Sequence, residues 1–171
     1  MVPTPLPPQG AQHQLSMSVL MTPALANFHG NVHGGDLLKL LDQVAYACAS
    51  RYSGEYVVTL SVDQVIFKEP IHVGELVTFY ASVNHVGRTS MEVGIRVEAQ
   101  DIQHRSARHT NSCYFSMVAV DKNGKPTKVP PLCIGTEEQA RRFQEGAIRK
   151  EARLKAAKAK HKPTVLNILE S

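Results

Sequence analysis

The sequence contains no tryptophan and only three cysteines in 171 residues. Cys48, Cys113 and Cys133 form no CxxC pair, so the sequence predicts neither a disulfide framework nor a cysteine zinc site. No stretch approaches the ~20 consecutive apolar residues of a membrane helix. The first residues lack the basic start and apolar run of a secretory signal. These absences predict a soluble protein with no membrane partner, and the cytoplasm is its expected location.

Positive charge is concentrated near the C-terminus. The net charge is +4, and residues 141–162 contain nine Lys or Arg but only two Glu. Blocks of Lys and Ala with few aromatics are typical of solvated helices or flexible ends. Since no RNA- or DNA-binding module is recognisable, we expect no nucleic-acid partner.

The chain divides into one domain and two tails. Residues 1–14, rich in Pro, Gln and Gly, are expected to form a disordered arm. Residues 15–135 carry all the regular apolar patterns and form the domain. Residues 136–171 predict a basic, helical tail at the periphery that frays into disorder.

Within the domain, a strand is predicted at Leu15 to Met21, followed by a Gly-containing loop and a helix beginning near Gly35-Asp36. Apolar residues surround nearly the whole circumference of this helix, which indicates that it is buried. Four extended segments with β-branched residues and rough alternation follow, at 56–68, 74–86, 88–100 and 107–120. A sheet of these strands can bury the helix only by curling around it, so the expected class is α+β.

Asp42 stands out because it lies in the second or third turn of a helix that is otherwise almost free of charge. A buried carboxylate without a partner costs several kcal/mol or shifts its pKa upward. Such a residue is usually paired structurally or used chemically. The alternatives are a pair with a neighbouring subunit, or an exposed position beside Lys39 and Gln43.

Two segments carry a resemblance to a known family. ANFHGNVHGGDLLKLLDQVAYACASRYSG, and VTLSVDQVIFKEPIHVGELVTFYASVNHVGRTSMEVGIRVEAQ with its V-D-x-V-x-F-x-x-P-I-x-x-G-D/E pattern, resemble the hotdog-fold acyl-CoA thioesterases. The resemblance runs from about Leu15 to Leu132. It implies a hotdog fold, in which a curled antiparallel sheet wraps a long central helix, and hydrolysis of acyl-CoA to a fatty acid and CoA.

The resemblance also implies site residues at an interface between two subunits. Asp42 would be the general base or the nucleophile, and Asn27 would assist it; Asn31 is a second candidate for that role. The thioester carbonyl would lie at the helix start, at His33, Gly34 and Gly35. Asn is also a common turn residue, so a purely structural role stays open for Asn27 and Asn31.

The remaining candidates concern CoA and metals. Arg88, Thr89 and Ser90 place a cation beside two hydroxyls, which suits a phosphate, although a plain hairpin turn explains them almost as well. Arg96 is a weaker CoA-binding candidate that could simply be solvated. His29 and His33 have a metal-ligand spacing only on a helix, and they lie in a loop, so no metal is predicted. No cofactor is expected apart from CoA as part of the substrate.

A non-catalytic acyl-CoA sensor of the same fold is the alternative function, but a pure binder gains nothing from a buried carboxylate. A hotdog hydratase would need a His-Asp or His-Glu pair in a local pattern that the sequence lacks. An exposed sheet edge predicts at least a dimer. The resemblance implies a homo-hexamer built as a trimer of dimers.

Overall fold

A computed structural model describes residues 12–160 as one five-stranded sheet with two long helices. The predicted order of a strand, a helix and four strands is confirmed. The elements are β1 (Gln14–Leu20), α1 (Gly34–Ser53), β2 (Tyr56–Val62), β3 (Leu76–Val86), β4 (Ser90–Asp101), β5 (Ser106–Val120) and α2 (Glu137–Lys160), with a short 3-10 turn at Pro23–Leu25.

The sheet is antiparallel throughout, in the order β1-β3-β4-β5-β2. Because α1 joins the two edge strands, it crosses the whole sheet and packs on its inner face. One stripe of α1, which includes Leu41, Val44 and Cys48, packs into a core with Phe79 and Phe115 of the sheet. This is the helix wrapped by a curled sheet that the sequence predicted.

Local signals define both ends of α1. His33 caps the N-terminus, and the negative charge of Asp36 in the first turn interacts favourably with the positive end of the helix dipole. Gly54 ends the helix in the left-handed conformation, at φ +72°. The predicted start near Gly35 and the predicted end at Ser53-Gly54 are therefore confirmed.

The expectation that α1 is buried all round is wrong for the single chain. Leu38, Lys39, Asp42, Gln43 and Tyr46 form an exposed face along the helix, opposite the buried stripe. Because Leu38 and Tyr46 on this face are apolar, the sequence pattern looks like that of a fully buried helix. Apolarity alone does not say whether the sheet or another chain covers such residues.

The strand predicted at residues 56–68 is shorter in the structure than expected. β2 ends at Val62, and no regular strand continues through Lys68, although Asp63 and Lys68 each donate one backbone hydrogen bond to β5. A bulge between Thr59 and Ser61 interrupts the pairing with β5. Beyond Val62 the segment pairs with β5 only at Asp63 and Lys68, and its Phe67 ring lies beside Gly34 at the start of α1.

The two tails differ in part from expectation. Residues 12–14 are packed, not disordered: Gln12 and His13 are buried, and Gln14 begins β1. From Glu137, α2 lies on the outer face of the sheet against β3, and Arg149 and Arg153 pair with the buried Glu92. The remaining predicted disorder, in residues 1–11 and 161–171, lies outside the described residues. Within 12–160, neither helix is both long and apolar enough to cross a membrane.

Candidate active site

Asp42 pairs with a residue that sequence reasoning missed. The Thr59 hydroxyl on β2 donates a hydrogen bond of 2.6 Å to Asp42 Oδ1. Thr59 follows the buried Val57 at the period-two spacing of a strand, so it points toward α1. A polar residue at an inward position needs a partner, and this signal could have identified Thr59 from the sequence.

Asp42 is exposed in the single chain, which corrects the expectation of a buried carboxylate. It lines an open cleft of about 420 Å³ between α1 and the edge strand β2. The other lining residues are Gln43, Tyr46, Tyr56, Val57, Val58 and Thr59. Among the described residues, the carboxylate therefore has one side-chain hydrogen-bond partner, and it has an open side that a water or a substrate can reach.

Asn27 forms a tight turn before α1. Its Oδ1 accepts hydrogen bonds from the backbone N–H groups of His29 at 2.9 Å and Asn31 at 3.2 Å. This is the turn role that Asn commonly plays. Since the oxygen is occupied, the Nδ2 donor is the part of the half-buried amide that remains for a ligand.

Asn31 anchors the same turn to the segment before β3. Its side-chain oxygen lies 2.8 Å from Nδ1 of His72, whose backbone N–H donates to Glu75 at 2.8 Å. Glu75 in turn holds a bidentate pair with Arg108 of β5. Burial raises the pKa of Glu75, but the hydrogen bonds from Arg108 and His72 outweigh it and lower the pKa below its ordinary value. This chain of contacts fixes the position of the Asn27 turn.

The N-terminus of α1 is capped by the side chain of His33. His33 Nδ1 accepts a hydrogen bond of 3.0 Å from the Gly35 backbone N–H. A side chain on Gly35 would crowd this imidazole, because its Cβ would lie 3.2 Å from Nδ1. In this structure the Gly35 N–H is thus occupied, and a thioester carbonyl would have to displace His33 to use it.

One chain does not bring all these residues together. Asp42 lies about two turns beyond Gly35, which is roughly 10 Å along the helix axis. No hydrogen bond within residues 12–160 joins Asp42 to Asn27 or to the helix start. The structure therefore contains two half-sites, one at Asp42 and Thr59 and one at Asn27 and the helix start.

The CoA-binding candidates lie in two places that are far apart on the sheet. Ser90 shares a row of the sheet with Val58, two strands away, so the turn at Arg88–Ser90 lies roughly 10 Å from the β2 edge. Arg96 lies six residues farther along β4, roughly 20 Å from Ser90, and pairs with Glu98 at 2.7 Å. Arg88–Ser90 and Arg96 cannot contact the same phosphate.

The two buried cysteines are not nucleophiles, and the described residues form no metal cluster. Burial raises the pKa of the Cys48 and Cys113 thiols to about 12, so both stay protonated at neutral pH. Among residues 12–160, no group of three or more His, Cys, Asp or Glu side chains could hold a metal ion.

Comparison with known proteins identifies the family. The model of the Thioesterase superfamily matches residues 29–104. Protein VdlD of Helicobacter pylori is 56% identical over 140 residues, which cover 82% of this chain and 80% of that protein. The cytosolic acyl coenzyme A thioester hydrolase of Rattus norvegicus is 34% identical over 144 residues, covering 83% of this chain and 38% of that longer protein.

Solved structures show the same fold. An apo-hexameric acyl-CoA thioesterase superposes with a TM-score of 0.82 at 35% identity, covering 86% of this chain and 95% of that chain. The acyl-CoA hydrolase of Staphylococcus aureus, solved with butyryl coenzyme A and coenzyme A, superposes with a TM-score of 0.77 at 27% identity, covering 88% and 94%.

That Staphylococcus aureus enzyme has also been studied as three alanine variants, of an asparagine, an aspartate and a threonine. The three positions follow one another at the same spacings as Asn27, Asp42 and Thr59. By fold, by sequence identity and by the names of its relatives, the chain belongs to the thioesterase superfamily, as a hotdog-fold member of its acyl-CoA thioester hydrolases.

Proposed function

We propose that the protein hydrolyses acyl-CoA to a free carboxylic acid and CoA, with Asp42 as the general base or the nucleophile. The observation that carries this proposal is the hydrogen-bonded pair of Asp42 and Thr59 beside an open cleft. The lining of the cleft combines two tyrosines and two valines with the polar side chains of Asp42, Gln43 and Thr59. Small-molecule sites commonly place a few polar groups among apolar and aromatic side chains in this way.

The chemistry needs little machinery, because a thiolate is a good leaving group. In the first route, Asp42 takes a proton from water, the oxygen attacks the thioester carbon, and the C–S bond breaks as the CoA thiolate leaves and is protonated. In the second route, Asp42 attacks the carbon directly, and water then hydrolyses the anhydride that forms. Both routes give the same products.

Thr59 and Asn27 have distinct roles in this proposal. The Thr59 hydroxyl occupies Asp42 Oδ1 and fixes the rotamer of the carboxylate, which leaves Oδ2 to face the substrate. The Nδ2 group of Asn27 would donate to the thioester oxygen as negative charge develops on it, together with the N–H groups at Gly34 and Gly35 and the positive end of the α1 dipole. The His33 ring would have to swing away when the carbonyl enters.

The complete site would require two chains. The half-site at Asp42 lies on the exposed face of α1 and the unpaired edge of β2, where Leu38, Tyr46, Tyr56, Val58 and Leu60 expose apolar surface. A second copy packed on this face, related by a two-fold axis, would bring its own Asn27 turn toward Asp42. Together with the hexameric solved relatives, this supports a homo-hexamer assembled from such dimers.

The other partner proposals are unchanged from the sequence. Arg88, Thr89 and Ser90 would contact a CoA phosphate from the turn between β3 and β4, and Arg96 stays a weaker CoA-binding candidate. No metal or redox cofactor is needed. A cytoplasmic location is supported by three unpaired cysteines and by the cytosolic name of the rat relative. The absence of a nucleic-acid partner stays a prediction.

Thiol release from acyl-CoAs of two to sixteen carbons tests this function, with wild type and Asp42→Asn assayed as intact oligomers. We expect turnover by wild type on at least one chain length and a loss of at least about 1,000-fold in Asp42→Asn. Saturable binding of an acyl-CoA without turnover by wild type would instead establish the sensor. Turnover retained in Asp42→Asn would remove Asp42 from the mechanism.

A further inference from the structure

The proposed hydrolysis leaves the buried carboxylate of Glu75 without a role. Glu75 lies directly before β3 and is 7% exposed, and its carboxylate forms a bidentate pair with the guanidinium of Arg108 on β5. Taking a carboxylate out of water costs several kcal/mol, which the attraction of its partner repays only in part. Because a buried ion pair contributes little net stability, its presence is better explained by the backbone that it holds in place.

Arg108 holds both ends of the loop of residues 70–75. One terminal nitrogen of its guanidinium donates to a Glu75 oxygen, and the other donates to the second Glu75 oxygen and to the backbone carbonyl of Pro70. The Glu75 carboxylate also accepts a hydrogen bond of 2.8 Å from the His72 backbone N–H. A planar guanidinium donates in fixed directions, so these bonds set the shape of the loop. Arg108 and residues 70–75 together form what we call the arginine clamp.

The clamp is bonded to the segment that carries Asn27. Nδ1 of His72 lies 2.8 Å from the side-chain oxygen of Asn31. The Ile71 carbonyl accepts a hydrogen bond of 2.8 Å from the Val32 backbone N–H. Asn31 then contacts Asn27 twice: its carbonyl accepts the Asn27 N–H at 2.6 Å, and its own N–H donates to Asn27 Oδ1 at 3.2 Å. A continuous series of hydrogen bonds therefore connects the clamp to Asn27 of the same chain.

This series of contacts determines where the Asn27 amide points. Two backbone N–H groups hold its Oδ1, which also fixes the direction of Nδ2 in the planar amide. In the proposed mechanism, Nδ2 donates to the thioester oxygen. Displacing a catalytic group by about 1 Å can slow a reaction roughly a hundredfold. A shift of the loop would therefore lower the rate without removing any atom that contacts the substrate.

We propose that Glu75 and Arg108 are positioning residues for catalysis, which act on the Asn27 amide through the arginine clamp. They have this role only if the proposed hydrolysis holds, since Asn27 there stabilises the negative charge that develops on the thioester oxygen. Because that charge develops in the transition state, loss of the clamp should lower kcat and leave KM little changed.

Steady-state kinetics on intact oligomers tests this role, with Glu75→Gln as the main variant. We expect kcat to fall at least about tenfold and KM to stay within about twofold of wild type, because the neutral amide loses the charge pair with Arg108. Arg108→Lys keeps the positive charge but not the fixed directions of the guanidinium, so its kcat should lie between the two. Asp101→Asn, which removes a carboxylate that fixes the neighbouring β4–β5 turn, is the matched control and should keep the wild-type kcat.

A double variant shows whether the effect passes through the loop. His72→Ala removes the side-chain contact with Asn31 and should lower kcat by itself. In Glu75→Gln/His72→Ala the two losses should not multiply, because a loop that is already displaced no longer places His72 against Asn31. A double variant that is slower by the product of the two single factors would overturn the shared route.

Hydrogen exchange of the full-length protein tests the clamp independently of activity. In Glu75→Gln, the backbone N–H groups of residues 27–32 should exchange at least about tenfold faster, while those in the middle of α1 keep the wild-type rate. If Glu75→Gln does not assemble, Arg108→Lys carries the same comparisons.

The possible outcomes separate the clamp from the hydrolysis itself. Unchanged exchange of residues 27–32 would overturn the clamp, and faster exchange with a wild-type kcat, or a change confined to KM, would overturn its role in catalysis. A wild type that releases no thiol from any acyl-CoA would overturn the proposed hydrolysis instead, and the exchange rates would then decide on the clamp alone.

Discussion

At the scale of single residues, the functional candidates differ in how visible they are in sequence. Asp42 is conspicuous because a charge interrupts an apolar helical pattern. That apolar pattern predicted a buried carboxylate, whereas the structure shows Asp42 exposed, with Thr59 as its hydrogen-bond partner. Thr59 lies in a strand rich in β-branched residues, where threonine is ordinary, and only the inward side of that strand makes it unusual.

Thr59 offers a test of how the carboxylate is positioned. Thr59→Val keeps the shape but removes the hydrogen bond to Asp42, and a hydrogen bond to a charged group contributes about 1.5 to 3 kcal/mol, or roughly a ten- to hundredfold change in kcat. We expect kcat to fall by this factor while KM changes little. Thr59→Ser restores the hydroxyl and should recover most of the rate.

Steady-state kinetics on one acyl-CoA measures both parameters for the two variants. If Thr59→Val keeps the wild-type kcat, or if Thr59→Ser is as slow as Thr59→Val, the hydrogen bond does not position the carboxylate. A change confined to KM would assign Thr59 to substrate binding instead.

At the scale of elements, period and turn signals predict most of the fold. α1 begins and ends where the sequence indicates, and β3, β4 and β5 match their predicted segments to within two residues. The errors arise where tertiary packing decides. The regular pairing of β2 ends at Val62, and α2 docks on the sheet through a charge that lies far away in sequence. Apolar periodicity cannot reveal a helix held by buried ion pairs.

The docking of α2 on the sheet should depend on the buried carboxylate of Glu92. Glu92→Gln leaves Arg149 and Arg153 without their shared buried carboxylate, and breaking a buried ion pair costs about 3 to 5 kcal/mol. We expect the free energy of unfolding to fall by about that amount and hydrogen exchange of α2 to accelerate.

Glu151→Gln is the matched control, since it removes an exposed pair with Lys155 on the same helix and should change the free energy of unfolding by less than about 1 kcal/mol. Denaturant unfolding and hydrogen exchange read both effects. Equal, small losses in both variants would mean that apolar contacts, not the Glu92 cluster, hold α2.

At the scale of the whole molecule, the account depends on a second copy of the chain. The distance of roughly 10 Å along α1 between Gly35 and Asp42 divides the candidate residues into two half-sites. The exposed apolar face of α1 and β2 shows where another chain would cover the Asp42 half-site. The sequence predicts the candidate residues, but it does not predict their division into two half-sites. That division is set by the position of the helix relative to the sheet.

Subunit complementation tests this account most directly. Asn27→Ala and Asp42→Ala chains should each be inactive as pure oligomers. When they are co-expressed at equal levels and assemble at random, about a quarter of the sites combine an intact Asn27 with an intact Asp42 from the partner. We predict thiol release from acyl-CoA at about a quarter of the wild-type rate in the mixed oligomers; mixed oligomers as inactive as the pure variants would contradict a site shared between two chains.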